Sequence, residues 1–198
     1  MKLHLGCSDD FKPGYLNVDV CEPPAWATED NFKRVDLRNG SVWREGQAAW
    51  IPFKDWRGGW MWPWEDSTVE EIIAHDVFEH IEQLPNYSGN AGMIWTFNES
   101  WRILKPGGIL DLVVPCWPGI APFCDPTHKV VYTQDTRYYF DERWNNPQGE
   151  RGRLGAAYGI RAVFKTLPGT KSGVDWRPVN YAPGTDRHKL FLRLEAVK

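Results

Sequence analysis

Apolar residues come in short bursts along this chain, and most bursts end on a turn or a carboxylate. Leu3 to Leu5 predict a first strand that breaks at Gly6-Cys7-Ser8. After the Pro13-Gly14 turn, "YLNVDV" (Tyr15 to Val20) predicts a second strand running into Asp19, and "FKRVDL" predicts a third ending at Asp36-Leu37. A fourth is expected at Ile72 to Ala74, continued by "VFEHIEQL" as a short helix. Between Ala91 and Leu104 the residues Met93, Ile94, Phe97, Trp101 and Leu104 recur three or four apart, the period of an amphipathic helix, which Lys105-Pro106-Gly107-Gly108 stops. Ile109 to Val114 is a continuous apolar run of the kind buried on both faces of a parallel sheet. "VFKTLP" and "RHKLFLRLEAV" predict an antiparallel pair at the sheet edge. Strands alternating with helices predict an α/β fold.

A chain of 198 residues is expected to form one domain, residues 1–198, with a core that needs no disulfide or metal. No apolar run approaches the length that spans a bilayer, and Met1-Lys2 leads directly into the first strand, so a cytoplasmic protein is expected. The net charge of −3 gives no electrostatic reason for a nucleic-acid partner. The four cysteines (Cys7, Cys21, Cys116, Cys124) form no C-x-x-C pair, which fits reduced thiols better than disulfides or a zinc site. Six of the twelve tryptophans, Trp43, Trp50, Trp56, Trp60, Trp62 and Trp64, fall in an insertion at residues 38–64. Three readings stand for it: packing against the sheet, a stacking surface for a flat acceptor, or a subunit interface that would make a homodimer.

In an open parallel sheet, ligands bind beyond the carboxyl ends of the strands. Gly6-Cys7-Ser8, Asp19, Asp36 and His75-Asp76 all fall at such ends. Gly6 admits close backbone approach, and a strand-end carboxylate such as Asp19 can accept two ribose hydroxyls. There is neither G-x-G-x-x-G nor G-x-x-x-x-G-K-[ST], so the set suits a nucleoside without phosphates.

The blocks "LHLGCSDDFKPGYLNVDV", "VDL", "WPWEDSTVEEIIAHDVFEHI" and "WRILKPGGILDLVVP" together resemble the class I S-adenosylmethionine-dependent methyltransferases, specifically the small bacterial and phage-type predicted methyltransferases of the Methyltransferase-11-like group. The resemblance runs from residue 2 to about residue 140. It implies a Rossmann-like, seven-stranded, mostly parallel sheet with helices on both faces and "KLFLRLEAV" as an antiparallel edge strand. It also implies a cofactor site. Leu5, Gly6, Cys7 and Ser8 would lie under the methionine part, and Asp19, with Val20 beside it, would take the ribose. Asp36 and the backbone of Leu37 would meet the adenine, and His75 would line the methionyl side. Two residues depart from the family pattern: His4 stands where an acidic residue or Asn is usual, and Ser8 where a second glycine is usual. No helix precedes the first strand, so the resemblance implies that another segment or a neighbouring subunit closes the site.

Methyl transfer from a sulfonium needs alignment and exclusion of water, with a base only for a poor acceptor. The catalytic candidates are His128, Asp76 and Asp125, with His128, in "CDPTHKVVYT", the first choice as base or acceptor-positioning residue. Each has a plainer reading. His80 on "VFEHI" is expected to pack or cap, His128 could simply shape a loop with Asp125, and Cys7 is expected to be a small buried residue. Cys116, Cys124, Asp125 and His128 lack the tight ligand pair of a metal site, so no metal is expected. The function expected is S-adenosylmethionine-dependent methyl transfer to a small-molecule or glycan-precursor acceptor. The alternative is a catalytically inactive binding or scaffold protein of the same fold. A nicotinamide oxidoreductase is opposed by the missing pyrophosphate glycines.

Overall fold

The computed structural model describes residues 1–52, 61–82, 92–144, 155–174 and 188–198, with the backbone alone for 171–174. Ten strands form one mixed sheet: β1 (Lys2–Leu5), β2 (Leu16–Asp19), β3 (Phe32–Asp36), β4 (Ser41–Arg44), β5 (Ala49–Ile51), β6 (Val69–His75), β7 (Leu104–Pro115), β8 (Phe164–Thr166), β9 (Lys171–Val174) and β10 (His188–Ala196). Their order is β5-β4-β3-β2-β1-β6-β7-β10-β8, and β9 also pairs with β10. The central strands β3, β2, β1, β6 and β7 are parallel. The β4–β5 hairpin adds antiparallel strands at one end, and β10 runs antiparallel to β7, β8 and β9 at the other.

Register turns the alternation of side chains into two unlike faces. Val18, Leu5, Ala74, Leu112 and Leu192 lie side by side in one row, and Leu16, Leu3, Ile72, Leu110 and Leu194 in the next. All of these except the half-buried Leu16 are buried in one apolar core. The intervening row, on the other face, reads Asn17, His4, Ile73, Asp111 and Arg193. This second face is polar. Tyr15 donates to Glu71 at 2.7 Å, Lys2 pairs with Glu71 at 2.9 Å, the His75 ring meets Asp111 at 3.2 Å, and His4 meets Asn17 at 3.1 Å.

Helix α1 (Gly92–Ile103) sends Phe97 and Ile103 into the core, where Phe97 stacks on Phe140 at 3.9 Å. Apart from Gly92, its other buried residues are polar, and two of them, Asn98 and Glu99, tie α1 to its neighbours by hydrogen bonds. Asn98 donates to the Gly159 carbonyl at 2.8 Å and accepts from the amides of Arg161 and Ala162 at 2.8 and 2.9 Å. Glu99 accepts the Trp62 amide at 2.7 Å and the Arg102 guanidinium at 2.7 Å. Arg102 also donates to the carbonyls of Trp62 and Trp64 and to Asp66. Gly40, at φ +68°, lets this segment cross the β3–β4 turn, since a Cβ there would lie 1.9 Å from the Met61 carbonyl oxygen.

This architecture corrects the expected fold. The sheet is not a seven-stranded Rossmann-like one with helices on both faces, and β10 is an interior strand rather than the edge. The connections at residues 6–15 and 20–31 contain no helix, so neither β1 to β2 nor β2 to β3 contributes a layer. The continuous run in β7 is buried on both faces only at its end: Leu110, Leu112 and Val114 are fully buried on one side, while on the other Ile109 and Asp111 are half-buried and Val113 is buried. Of "VFEHIEQL", the described residues 77–82 form a 3-10 turn at Phe78–His80 and no longer helix, and the last two residues lie outside the described ones. Within the insertion, Trp62 and Trp64 are core residues, and Trp43 and Trp50 pack edge to face across the β4–β5 hairpin with Arg34 over both rings. Trp56 and Trp60 lie outside the described residues. Among the described residues, no helix is long and apolar enough to cross a membrane.

Two ion pairs whose carboxylate is buried, Glu99–Arg102 and Asp141–Arg143, lend themselves to measurement. Replacing Arg102 with Ala leaves the Glu99 carboxylate buried without its cation and is expected to cost about 3–5 kcal/mol in urea unfolding. Asp141, 1% exposed, is held by Arg143 at 2.8 Å and Thr166 at 2.6 Å. Burial alone would raise its carboxyl, but the bonds from Arg143 and Thr166 outweigh it and bring the pKa down to about 2. Because the folded state binds this proton more weakly than the unfolded chain, the stabilisation is complete above about pH 4 and is lost as pH falls towards 2. An Asp141→Asn variant is expected to lose about 2 kcal/mol of this acid-sensitive stability, seen as a flatter unfolding profile between pH 4 and 2.

Candidate functional site

The structure brings the first group of sequence candidates together at the carboxyl ends of β1 and β2. The amides of Gly6 and Cys7 both donate to the Val18 carbonyl, at 2.7 and 3.1 Å. Ser8, at φ +46°, donates its amide to Asp19 Oδ2 at 2.8 Å, and Asp19 Oδ1 accepts the amides of Val20 and Cys21 at 2.7 and 3.0 Å. The Asp19 carboxylate beside it holds the Cys21 thiol above its usual pKa. A carboxylate has about four acceptor positions, and three are taken by the amides of Ser8, Val20 and Cys21, which leaves one for a ribose hydroxyl.

Other candidates are engaged elsewhere. Asp36, 8% exposed, is held by the Arg38 guanidinium at 2.9 and 2.8 Å, which leaves it poorly placed to receive an adenine. The Leu37 carbonyl accepts the Trp62 indole at 2.9 Å. His75 turns to Asp111 on the polar sheet face. Leu5 is fully buried in the core. Cys7 is 2% exposed, and burial together with Asp19 pushes its thiol up to about 12, as befits an inert core residue. Gly6, at φ +65°, packs under Val77: a Cβ there would lie 2.2 Å from Val77 Cγ2. The glycine thus serves the close approach of another side chain.

Val77 belongs to the loop after β6, and that loop forms one wall of a cleft of about 470 Å³. Asp76, Glu79, His80, Asp125, His128 and Lys189 line it. All three catalytic candidates, His128, Asp76 and Asp125, are therefore in one place. Asp76, at φ +56°, pairs with Lys189. His128 Nδ1 lies 3.2 Å from the Pro122 carbonyl. A carbonyl only accepts, so Nδ1 carries the proton and Nε2 presents its lone pair. That Nε2 is 3.9 Å from Asp125 Oδ2 and 4.0 Å from Glu79 Oε1. Thr127 donates its hydroxyl to Asp125 at 2.6 Å and so accepts from His80 Nδ1 at 2.9 Å, which fixes the second imidazole in the same tautomer.

Glu79 is the residue that sequence reasoning missed. It is 1% exposed, and neither of its carboxylate oxygens has a hydrogen-bond partner among the described residues. Burial pushes it up to about 8, with nearby Asp76 and Asp125 adding to the effect. The signal was present in "VFEHI", where an acid stands between the core residues Phe78 and Ile81. Lys189 gave no such signal, because its place in the cleft depends on β10 lying beside β7. His80 lines the cleft rather than simply packing, and burial together with the His128 ring lowers its pKa. Hydrogen bonds from the Thr127 hydroxyl and amide hold Asp125 below the usual carboxylate range.

No protein-family model and no curated protein matches this chain.

The Gly6 packing is directly testable. Gly6→Ala is expected to destabilise the protein by about 2–4 kcal/mol, combining overpacking against Val77 with left-handed backbone strain. Adding Val77→Ala is expected to recover the packing part in the same chemical-denaturation measurement, leaving the backbone part.

Proposed function

We propose that this chain transfers a methyl group from S-adenosylmethionine to a small-molecule or glycan-precursor acceptor, with the nucleoside at Asp19 and the acceptor in the cleft. One observation carries the reading. The Gly6 turn rests on Val77, and residues on either side of Val77 line the cleft, so the turn beside Asp19 and a polar pocket adjoin at the ends of parallel strands. Transfer from a sulfonium requires that donor and acceptor be held in line and kept from water. Adjacency of this kind supplies the first requirement. His128, with its tautomer fixed by Pro122, offers an acceptor-facing lone pair, and Asp125 stands beside it.

The alternative, a binding or scaffold protein without catalysis, is favoured by a different observation. The amides of Gly6, Cys7 and Ser8 are all used within the protein, and Asp36 is locked by Arg38.

Calorimetric titration with S-adenosylhomocysteine separates the two. The methyl-transfer reading expects micromolar binding, weakened at least about tenfold by Asp19→Ala, the loss of roughly one charge-assisted hydrogen bond. His128→Ala is expected to leave this binding intact. Absence of binding by the wild type at millimolar ligand would leave the scaffold reading.

A further inference from the structure

We infer that Glu79, His80 and His128 form a binding site for one divalent transition-metal ion. One ligand atom from each lies within 4.8 Å of the others, and the two imidazole rings meet edge to face at 4.8 Å. Two histidines and one carboxylate, with further positions open to a cleft, make a donor set suited to Zn²⁺, Fe²⁺, Co²⁺ or Mn²⁺. Mg²⁺ and Ca²⁺, which take oxygen ligands, suit it poorly.

Three features support the site, the second and third drawn from the same hydrogen bonds. The first is the Glu79 carboxylate, almost wholly buried, close to both rings and without a hydrogen-bond partner among the described residues. A buried carboxylate without partners is costly to fold around unless something neutralises it. A divalent cation does so. Lys189, which also lines the cleft, is paired with Asp76. The second feature is the tautomer state of both rings. Pro122 and Thr127 each engage an Nδ1, so both Nε2 atoms are left as lone-pair donors. The third is the layer behind the ligands. Metal-bound histidines usually donate their other ring nitrogen to an oxygen that orients them, and here a carbonyl does this for His128 and the Thr127–Asp125 pair for His80.

Ligand atoms of a tetrahedral ion with bonds of about 2.1 Å lie roughly 3.4 Å apart, so the three side chains must draw in by about 1 Å on binding. The open cleft leaves room for this. A metal held here polarises an oxygen of whatever occupies the cleft. The inference does not rest on the methyl-transfer reading. If both hold, His128 is a metal ligand rather than the acceptor's base, and the acceptor is an oxygen compound.

The test is titration of the chelator-stripped, full-length protein with Co²⁺ in the absence of nucleoside, followed by visible absorption. The expected result is one equivalent bound at micromolar concentration, with d–d bands of four- or five-coordinate cobalt and no thiolate charge-transfer band. Zn²⁺ should displace it and excess Mg²⁺ should not. Glu79→Gln and His128→Ala should each weaken binding at least about 100-fold, and Thr127→Val by about 10- to 100-fold. In chelator, thermal melting of Glu79→Gln should be no lower than that of the wild type, which separates lost ligation from lost folding. Cys124→Ser should leave the cobalt spectrum unchanged. The inference is overturned if the wild type takes up no Co²⁺ or Zn²⁺ at millimolar concentration, if Glu79→Gln and His128→Ala bind as the wild type does, or if binding disappears in Cys124→Ser. Because the S-adenosylhomocysteine titration can be run in chelator, failure of either idea leaves the other readable.

Discussion

The register that sets Leu5 between Val18 and Ala74, and Ala74 against Leu112, is the constraint on which the rest of the structure depends. A shift of one residue in any of these strands would turn its apolar set away from the core and bring His4, Ile73 or Asp111 into it. The same register brings the carboxyl ends of β1, β2, β6 and β7 level. Gly6, Asp19 and Asp76 therefore emerge on one edge, with the cleft beside them. The site is in this sense a by-product of the core: strands that must align to bury leucines also align the loops at their carboxyl ends.

A sheet with one apolar face needs only one covering layer, and among the described residues that layer is thin. Helix α1 supplies Phe97 and Ile103 but is fastened as much by polar groups as by packing. Asn98 closes three backbone hydrogen bonds at residues 159–162, and Glu99 with Arg102 holds Trp62 and Trp64 over the core. Such buried networks are strong while complete and costly when one member is removed. They let irregular segments do what helices do in a thicker fold. The tryptophans contribute for the same reason: a large ring covers much apolar surface with few residues of backbone.

The cleft obeys a different logic. Asn98 and Glu99 satisfy their polar groups within the fold, whereas the wall at Glu79 buries a carboxylate that is unbonded, among the described residues, beside two oriented imidazoles. Groups held in this way cost stability and are suited to gain it back on meeting a cation. Asp125 and Thr127 are exposed, and their bonds still fix the direction in which His80 faces. Local order at the rim is thus imposed by a chain of short hydrogen bonds rather than by packing.

Much of this was legible in the residues. The positions of β1, β2, β3, β6, β8 and β10 and the helix ending at Ile103 could be read from apolar periodicity, turn residues and spacing, because those are local properties of the chain, while the choice of Asp125 and His128 leaned on the resemblance. The alternation in "KLHL", "LNVD" and "LRLEA" also bears the mark of a sheet with one polar face, although the resemblance to methyltransferases pointed to helices on both. What the sequence determined by itself was where β1, β2, β3, β6, β7, β8 and β10 lie and which chemically capable side chains fall near their ends. Only the tertiary structure decided that Val77 fills the space beside Gly6, that Arg38 takes Asp36, that Lys189 reaches Asp76, and that Glu79 is buried. Each of those depends on contacts between residues brought together by strand pairing and loop closure, and on the removal of water from between them, which no local pattern encodes.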